Sequence, residues 1–282
     1  MKDFAIFILT HGRPDNQYTI HALDKAGYTG RYYLVLDDTD ETIQDYIDLY
    51  GADKIWIFDK NHYINTSEVG TNNPLYKCIL YAKNAVEDIA EHMGLKSFVI
   101  ADDDIIRFRH RFIEDDKLKS VEACNLDAIL EAYNEYLFDT DMTTLGFGNT
   151  YVYLGGLKNF DVQTLSSKRI VYNFILRNTA HKVVWSSEMN EDSITPILQS
   201  LSGQIWFQLY YVQFDMKACR AGADGGMSDT YKQMGLFKQY AHFLLYTPSS
   251  VKLIDRFGSY THSFSKNATF QKIISDDFKR RQ

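Results

Sequence analysis

Short apolar runs alternate with amphipathic stretches through the first hundred residues. FAIFILT (Phe4–Thr10) is a continuous apolar run of strand length, broken by His11-Gly12-Arg13-Pro14. Residues 15–27 predict a helix with a weak stripe through Ile20, Leu23 and Ala26. YYLVL (Tyr32–Leu36) reads as a buried strand that ends at Asp37-Asp38. Ile43, Ile47 and Tyr50 stand at helical spacing and place a helix over Thr42–Tyr50, followed by the strand KIWIF (Lys54–Phe58). Asp59–Asn73, rich in Asn, Thr and Gly, predicts a loop. Pro74 suits the first turn of a helix running to about Met93, with Ile79, Ala82, Val86, Ile89 and Met93 inward and Gly94 as its stop. SFVIA (Ser97–Ala101) is a fourth strand, ending at Asp102-Asp103-Asp104. This alternation predicts an α/β fold: a mainly parallel sheet with helices on both faces.

The second half is less regular. It predicts helices over Leu126–Leu137 and Ser193–Leu201, and strands at Thr144–Phe147, Ile170–Leu176, Lys182–Ser186 and Ile205–Phe214. A glycine loop at residues 221–226, a further helix and a mixed tail carrying His242 and His262 follow. With no internal repeat and no linker, the chain reads as a single domain over 1–282.

Composition narrows the class. The 282 residues are 45% hydrophobic and 24% charged, enough apolar material for a sizeable core, which excludes bulk disorder. No apolar run approaches the roughly 20 residues of a membrane span, and the N-terminus lacks a secretory cleavage pattern. Cys78, Cys124 and Cys219 are too scattered for a disulfide framework or a zinc knuckle. A cytoplasmic protein with no membrane partner is the expectation. The net charge of -7 argues against nucleic-acid binding over the whole surface and leaves only local patches.

Candidate chemistry gathers at strand ends. Ligands of open parallel sheets bind beyond the carboxyl ends of the strands. Thr10-His11-Gly12-Arg13, Asp37-Asp38 and Asp102-Asp103-Asp104 would all face that edge. Alternation lets Asp102 and Asp104 point one way, and carboxylates suit Mg²⁺ or Mn²⁺ shared with phosphate. A solvated acidic turn is the bland alternative. Glu191-Asp192 opens a predicted helix, where acidic residues stabilise the N-terminus but can equally act as a general base. Arg107-Phe-Arg109-His-Arg111-Phe places three arginines on one face of an extended segment. These either hold phosphates or balance the aspartates from an edge strand. Lys279-Arg280-Arg281 is the other basic cluster.

FVIADDDI resembles the DxD strand of GT-A-fold glycosyltransferases, and FAIFILTHGRP and YYLVLDD resemble its first nucleotide-binding strands. More narrowly, ILTHGRP and DDDI resemble the glycosyltransferases of modified DNA bases, which include phage enzymes and relatives found beside TET/J-binding-type hydroxylases. The likeness spans about the first 110 residues. It implies a GT-A-like (Rossmann-like) fold with a nucleotide-sugar-binding half (1–115) and an acceptor-binding half (116–282). It implies a UDP-sugar donor with Mn²⁺ or Mg²⁺, and a hydroxylated or hydroxymethylated pyrimidine of DNA as acceptor; for a phage protein the compartment would be the host cytoplasm.

Carried over by position, Thr10, Gly12, Arg13, Asp37, Asp103 and Lys77 would line the nucleotide. Asp102 would contact ribose or metal, and Asp104 would ligate the metal, with His262 (or His242) as an extra ligand. Asp192 would be the base, with Glu191 the alternate. Trp185, Arg107, Arg109, Gly225 and Gly226 would meet the acceptor. Three rivals stand beside this reading: a transferase acting on glycan, protein or lipid; a non-catalytic sugar-nucleotide or DNA-binding module; and a nucleotidyltransferase. The last lacks its usual glycine-rich basic signature here.

Overall fold

A computed structural model describes residues 2–72, 77–157, 160, 171–217, 228–256 and 259–265. Strands β1 (Phe4–Leu9), β2 (Tyr32–Asp37), β3 (Ile55–Phe58) and β4 (Ser97–Asp102) alternate with helices α1 (Tyr18–Lys25), α2 (Ile43–Tyr50), α3 (Lys60–Thr66) and α4 (Ile79–His92). The hairpin β5 (Ile105–Glu114)–β6 (Lys117–Glu122) follows. Then come α5 (Leu126–Asp139), β7 (Thr144–Asn149), β8 (Phe174–Asn178), α6 (Glu191–Leu201) and β9 (Trp206–Met216). Helix α7 (Ser228–Tyr246) and a separate hairpin, β10 (Val251–Arg256) with β11 (Ser259–Phe264), come last.

Among the described residues, nine strands form one sheet in the order β3-β2-β1-β4-β8-β7-β9-β5-β6. Only β8 and β5 run against the rest. This is the mixed, mainly parallel, GT-A-like sheet expected.

β1 shows why the run FAIFIL forms a central strand. All six residues are buried, and successive side chains go to opposite faces. Phe4, Ile6 and Ile8 join a core with Leu23 of α1 and Leu126 and Leu130 of α5. Ala5, Phe7 and Leu9 join a second core with Leu80 and Val86 of α4. The chain steps outward from β1 to β2 and β3, then returns to β4 on the other side of β1. β1 and β4 therefore flank the point where the strand order reverses, which is where such sheets open a crevice.

Several elements differ from the sequence expectation. The predicted loop at 59–73 contains α3. Asp59 starts it by accepting a hydrogen bond from the His62 N–H (3.1 Å), a cap that offsets a weak apolar pattern. α4 begins at Ile79, and Pro74 lies outside the described residues. Lys182–Ser186 is no strand. The backbone of Trp185 is satisfied by the Asn84 side chain on α4, which donates to its carbonyl (3.1 Å) and accepts from its N–H (2.8 Å). The strand expected at Ile170–Leu176 lies at Phe174–Asn178. The arginine segment is not at the sheet edge: β5 pairs with β9 on one side and with β6 on the other. Its turn uses Asp115 and Asp116, both at positive φ (51° and 55°), in place of the Asn-Gly that marks such hairpins.

Candidate functional site

The ends of β1 and β4 are stitched together by polar side chains. Leu9 pairs with Asp102 in the β1–β4 register, so Thr10 and Asp103 emerge side by side. Thr10 Oγ1 donates to Asp103 Oδ2 (2.7 Å) and receives Gln17 Nε2 (2.8 Å). The Tyr46 hydroxyl lies 2.8 Å from Thr10 Oγ1 and accepts the Arg13 N–H. The Arg13 guanidinium reaches Asp103 Oδ1 at 2.9 Å. Asp103 is 2% exposed, with both oxygens engaged inside the protein. Its carboxylate thus braces the strand ends between Thr10 and Arg13. Burial nonetheless holds its pKa up, to about 6, against the pull of Arg13 and Thr10.

Its two neighbours stand in different settings: Asp102 ends β4, whereas Asp104 lies in the turn that joins β4 to β5, so strand alternation does not extend to it. Asp102 accepts a hydrogen bond from Asn173. Asp104 Oδ1 is buried and has no hydrogen-bond partner. Burial, then the charges of Asp102 and Asp103, push its pKa up to about 7. An orphaned hard oxygen beside two more carboxylates suits a divalent cation. Among the described residues no three His, Cys, Asp or Glu side chains are gathered to hold an ion alone. The donor set fits an ion that takes its remaining oxygens from a phosphate ligand and water.

Beyond β2, Asp37 is also tied inside the protein. His11 Nδ1 lies 2.9 Å from Asp37 Oδ2, and Lys60 Nζ donates to Oδ1 at 3.1 Å. Burial works against the Asp37 charge, yet His11, Thr39 and Lys60 outweigh it and hold its pKa well below the usual range. The same hydrogen bond raises that of His11. The Gly12 N–H bonds Asp40 (2.8 Å), at a positive φ of 66° that suits glycine. A cavity of about 440 Å³ opens here, lined by His11, Gly12, Thr39, Asp40, Lys60 and Lys77 among others. Lys77 is exposed and sits before α4, not in its first turn.

Glu191 and Asp192 occupy the first turn of α6, whose N-cap is Asn190 in the left-handed region. Neither acid caps the helix as the sequence suggested for Asp192. Glu191 is buried, and Lys83 Nζ donates to its Oε1 at 2.7 Å. Asp192 is partly exposed and receives the Ser193 hydroxyl (3.2 Å). Burial and the Glu191 charge raise its pKa, against the pull of Lys83. Asp102 acts electrostatically on both Lys83 and Asp192, so the acids of β4 and α6 share one electrostatic environment despite their separation in sequence.

Sequence reasoning missed Lys83 and Lys60. Lys60 fell in the segment read as loop. Lys83 stands three residues from both Leu80 and Val86, inside the buried stripe of α4, and a lysine within such a stripe was the available signal.

Other expected residues take different places. Trp185 is fully buried, packed edge-on against Trp206 with its indole N–H on Glu87 (3.1 Å); it has no face for an acceptor. Arg107 and Arg109 both pair with Asp215 on β9, not with the aspartates after β4. His262 lies among the rings of Tyr240, Phe243 and Phe264, and no metal group includes it among the described residues. Burial lowers its pKa. His242 is a core residue, 3.0 Å from Ser187 Oγ. Gly225, Gly226 and Lys279-Arg280-Arg281 lie outside the described residues.

A mainly parallel sheet with this strand order, carrying acidic side chains at its switch point, is the arrangement expected of a GT-A-type glycosyltransferase. Over residues 4–226 the chain matches the TET-associated glycosyltransferases, and it belongs to that family. The match ends before α7 and the β10–β11 hairpin.

No curated protein shows a significant match. Among solved structures, glucosyl-3-phosphoglycerate synthase from Mycobacterium tuberculosis, in complex with Mg²⁺ and UDP, is similar at 9% identity and a TM-score of 0.46. That match covers 93% of this chain and 86% of the other. A putative nucleotide-diphospho-sugar transferase from Desulfovibrio desulfuricans G20 is similar at 10% identity and 0.40, covering 77% and 83%. S. aureus TarS 1-349 is similar at 13% and 0.38, covering 75% and 60%.

Proposed function

We propose that the chain transfers a sugar from a UDP-sugar to a hydroxyl on a hydroxy- or hydroxymethyl-pyrimidine of DNA, as in phage genomes. The observation that carries the transfer chemistry is the shared electrostatic environment of Asp102, at the end of β4, with Glu191 and Asp192 of α6, which Lys83 joins; Asp104 follows in the turn just after Asp102. The nucleotide takes the 1–115 side, in the cavity beside His11, Gly12 and Lys77. The acceptor takes the 116–282 side.

Asp104 and Asp102 would hold Mn²⁺ or Mg²⁺. The ion would supply positive charge for the diphosphate as it leaves. Asp192 takes the acceptor's proton as the hydroxyl oxygen bonds to the sugar's anomeric carbon, and the bond to UDP breaks. Its raised proton affinity suits a base that works near neutral pH. Attack opposite the leaving group gives inversion. A DNA base in a duplex would be flipped out or presented single-stranded. The family's TET association supports the DNA acceptor.

A second reading, with a glycan, protein or lipid acceptor, is favoured by the net charge of -7 and by the commitment of Arg107 and Arg109 to Asp215.

The test measures UDP release from a panel of UDP-sugars with Mn²⁺, with and without hydroxymethylated DNA, in wild type, Asp104→Ala and Asp192→Asn. Release that needs Asp104 and rises with modified DNA supports the full reading. Release indifferent to DNA moves the acceptor to the second reading. No metal-dependent release from any UDP-sugar refutes the UDP donor.

A further inference from the structure

Lys83 is a cation where lysines seldom stand. It is 4% exposed, in a helix face that otherwise packs Leu80, Tyr81, Ala85, Val86 and Ala90 against the sheet. Its Nζ has two fixed neighbours: Glu191 Oε1 at 2.7 Å and the ring of Trp185, 4.6 Å from its centre. Trp185 is itself locked by Asn84, Glu87 and Trp206, so the ammonium has little freedom.

Glu191 and Asp192 are consecutive in α6 and therefore project about 100° apart around the helix axis. The inner one, 7% exposed, is the one Lys83 holds. The other is partly exposed and, among the described residues, receives the hydroxyl of Ser193. Without the ammonium, two neighbouring carboxylates would compete for one proton and for one orientation.

We propose that Lys83 is a positioning residue for glycosyl transfer: it holds Glu191 as its ion-pair partner and so leaves Asp192 as the carboxylate presented to the acceptor hydroxyl. The proposal rests on Asp192 being the base. It separates the roles of two adjacent acids, and it gives α4, which carries no reacting group, a part in the chemistry. The charged and titratable groups acting on this pair are Lys83 from α4, Asp102 from β4, Tyr172 before β8, and Cys78, which also feels Glu188.

The experiment uses the full chain with a UDP-sugar and the acceptor that raises UDP release. It compares wild type, Lys83→Met, Lys83→Arg, Glu191→Gln, Asp192→Asn and the double variant Lys83→Met/Glu191→Met. Lys83→Met is expected to lower kcat by about 100-fold, the scale of a misplaced catalytic group, with the donor KM nearly unchanged. The acid limb of its kcat–pH profile should move to higher pH, because both carboxylates hold protons more tightly without the cation. Lys83→Arg should recover part of the rate. The double variant, which removes both charges, should fold and transfer faster than Lys83→Met alone; it also answers the question should Lys83→Met fail to fold.

Four outcomes overturn the proposal. A raised donor KM with unchanged kcat would make Lys83 a donor-binding group. A folded Lys83→Met with wild-type kcat and pH limb would remove its role while Asp192→Asn, still inactive, preserved the base. A double variant slower than or equal to Lys83→Met would show that Lys83 does not act through Glu191. Wild-type transfer by Asp192→Asn would remove the base, and the proposal with it.

Discussion

Asp104 provides the sharpest test of the reading because it makes stability and activity move in opposite directions. Its Oδ1 is buried without a partner, next to Asp102 and Asp103, and its pKa is raised from 3.8 to about 7. An acid raised in the folded state is disfavoured there when ionised. The penalty is absent below the unfolded value, grows as pH rises, and is complete above the folded value. At about 1.4 kcal/mol per tenfold change in proton affinity, the ceiling is about 4 kcal/mol. Asp104 is partly open to water and Asp102 and Asp103 share the repulsion, which brings the expected figure to about 1–2 kcal/mol.

Asp104→Asn removes the charge while keeping the shape. In EDTA at pH 8 the variant should be more stable than wild type by that amount in urea unfolding. At pH 5 the gain should fall to less than half of that, and it should vanish only below about pH 4. Adding Mn²⁺ with UDP should raise the stability of wild type and barely move the variant. A variant less stable than wild type in EDTA at pH 8 would refute the account of three crowded carboxylates awaiting a cation.

Other consequences are checked more simply. Arg177 is fully buried and forks onto Glu87 (2.8 and 3.1 Å), so Arg177→Met should cost about 3–5 kcal/mol by stranding Glu87, and Arg177→Met/Glu87→Met should recover much of it in the same unfolding assay. Thr10→Val loses the hydroxyl that joins Asp103, Tyr46 and Gln17 and should cost about 1–3 kcal/mol; an unchanged melting temperature would show that this brace is dispensable. The His11 imidazole should titrate above 6.5 by NMR and fall in Asp37→Asn, because its proton is held by that carboxylate; a midpoint indifferent to Asp37→Asn would contradict the contact. Trp185→Ala should cost about 3–5 kcal/mol through the cavity left against Trp206; a loss of acceptor binding at unchanged stability would restore its expected role as an acceptor wall.

The first four strands were legible because each is a short, wholly apolar run closed by polar residues. β1, β2 and β4 are covered on both faces and need that composition; β3 keeps it at the sheet edge, where Ile57 stays exposed. The strand-end acids were legible for a related reason: three adjacent carboxylates after a buried run are costly unless something pairs with them. Composition also set the limits on charge and on membrane spans.

The tertiary structure decided what local pattern could not. α3 forms because Asp59 caps it, although its apolar spacing is weak. Residues 182–186 stay out of the sheet because Asn84, a hundred residues away, satisfies the backbone of Trp185. Packing turned Trp185 and Asp103 inward and committed Arg107 and Arg109 to Asp215 on the adjacent strand. It also brought Lys83 to Glu191, 108 residues apart, from an element that carries no motif. Periodicity reports which face of an element is buried. It does not report what that face meets, because burial and pairing over such separations are properties of the folded chain.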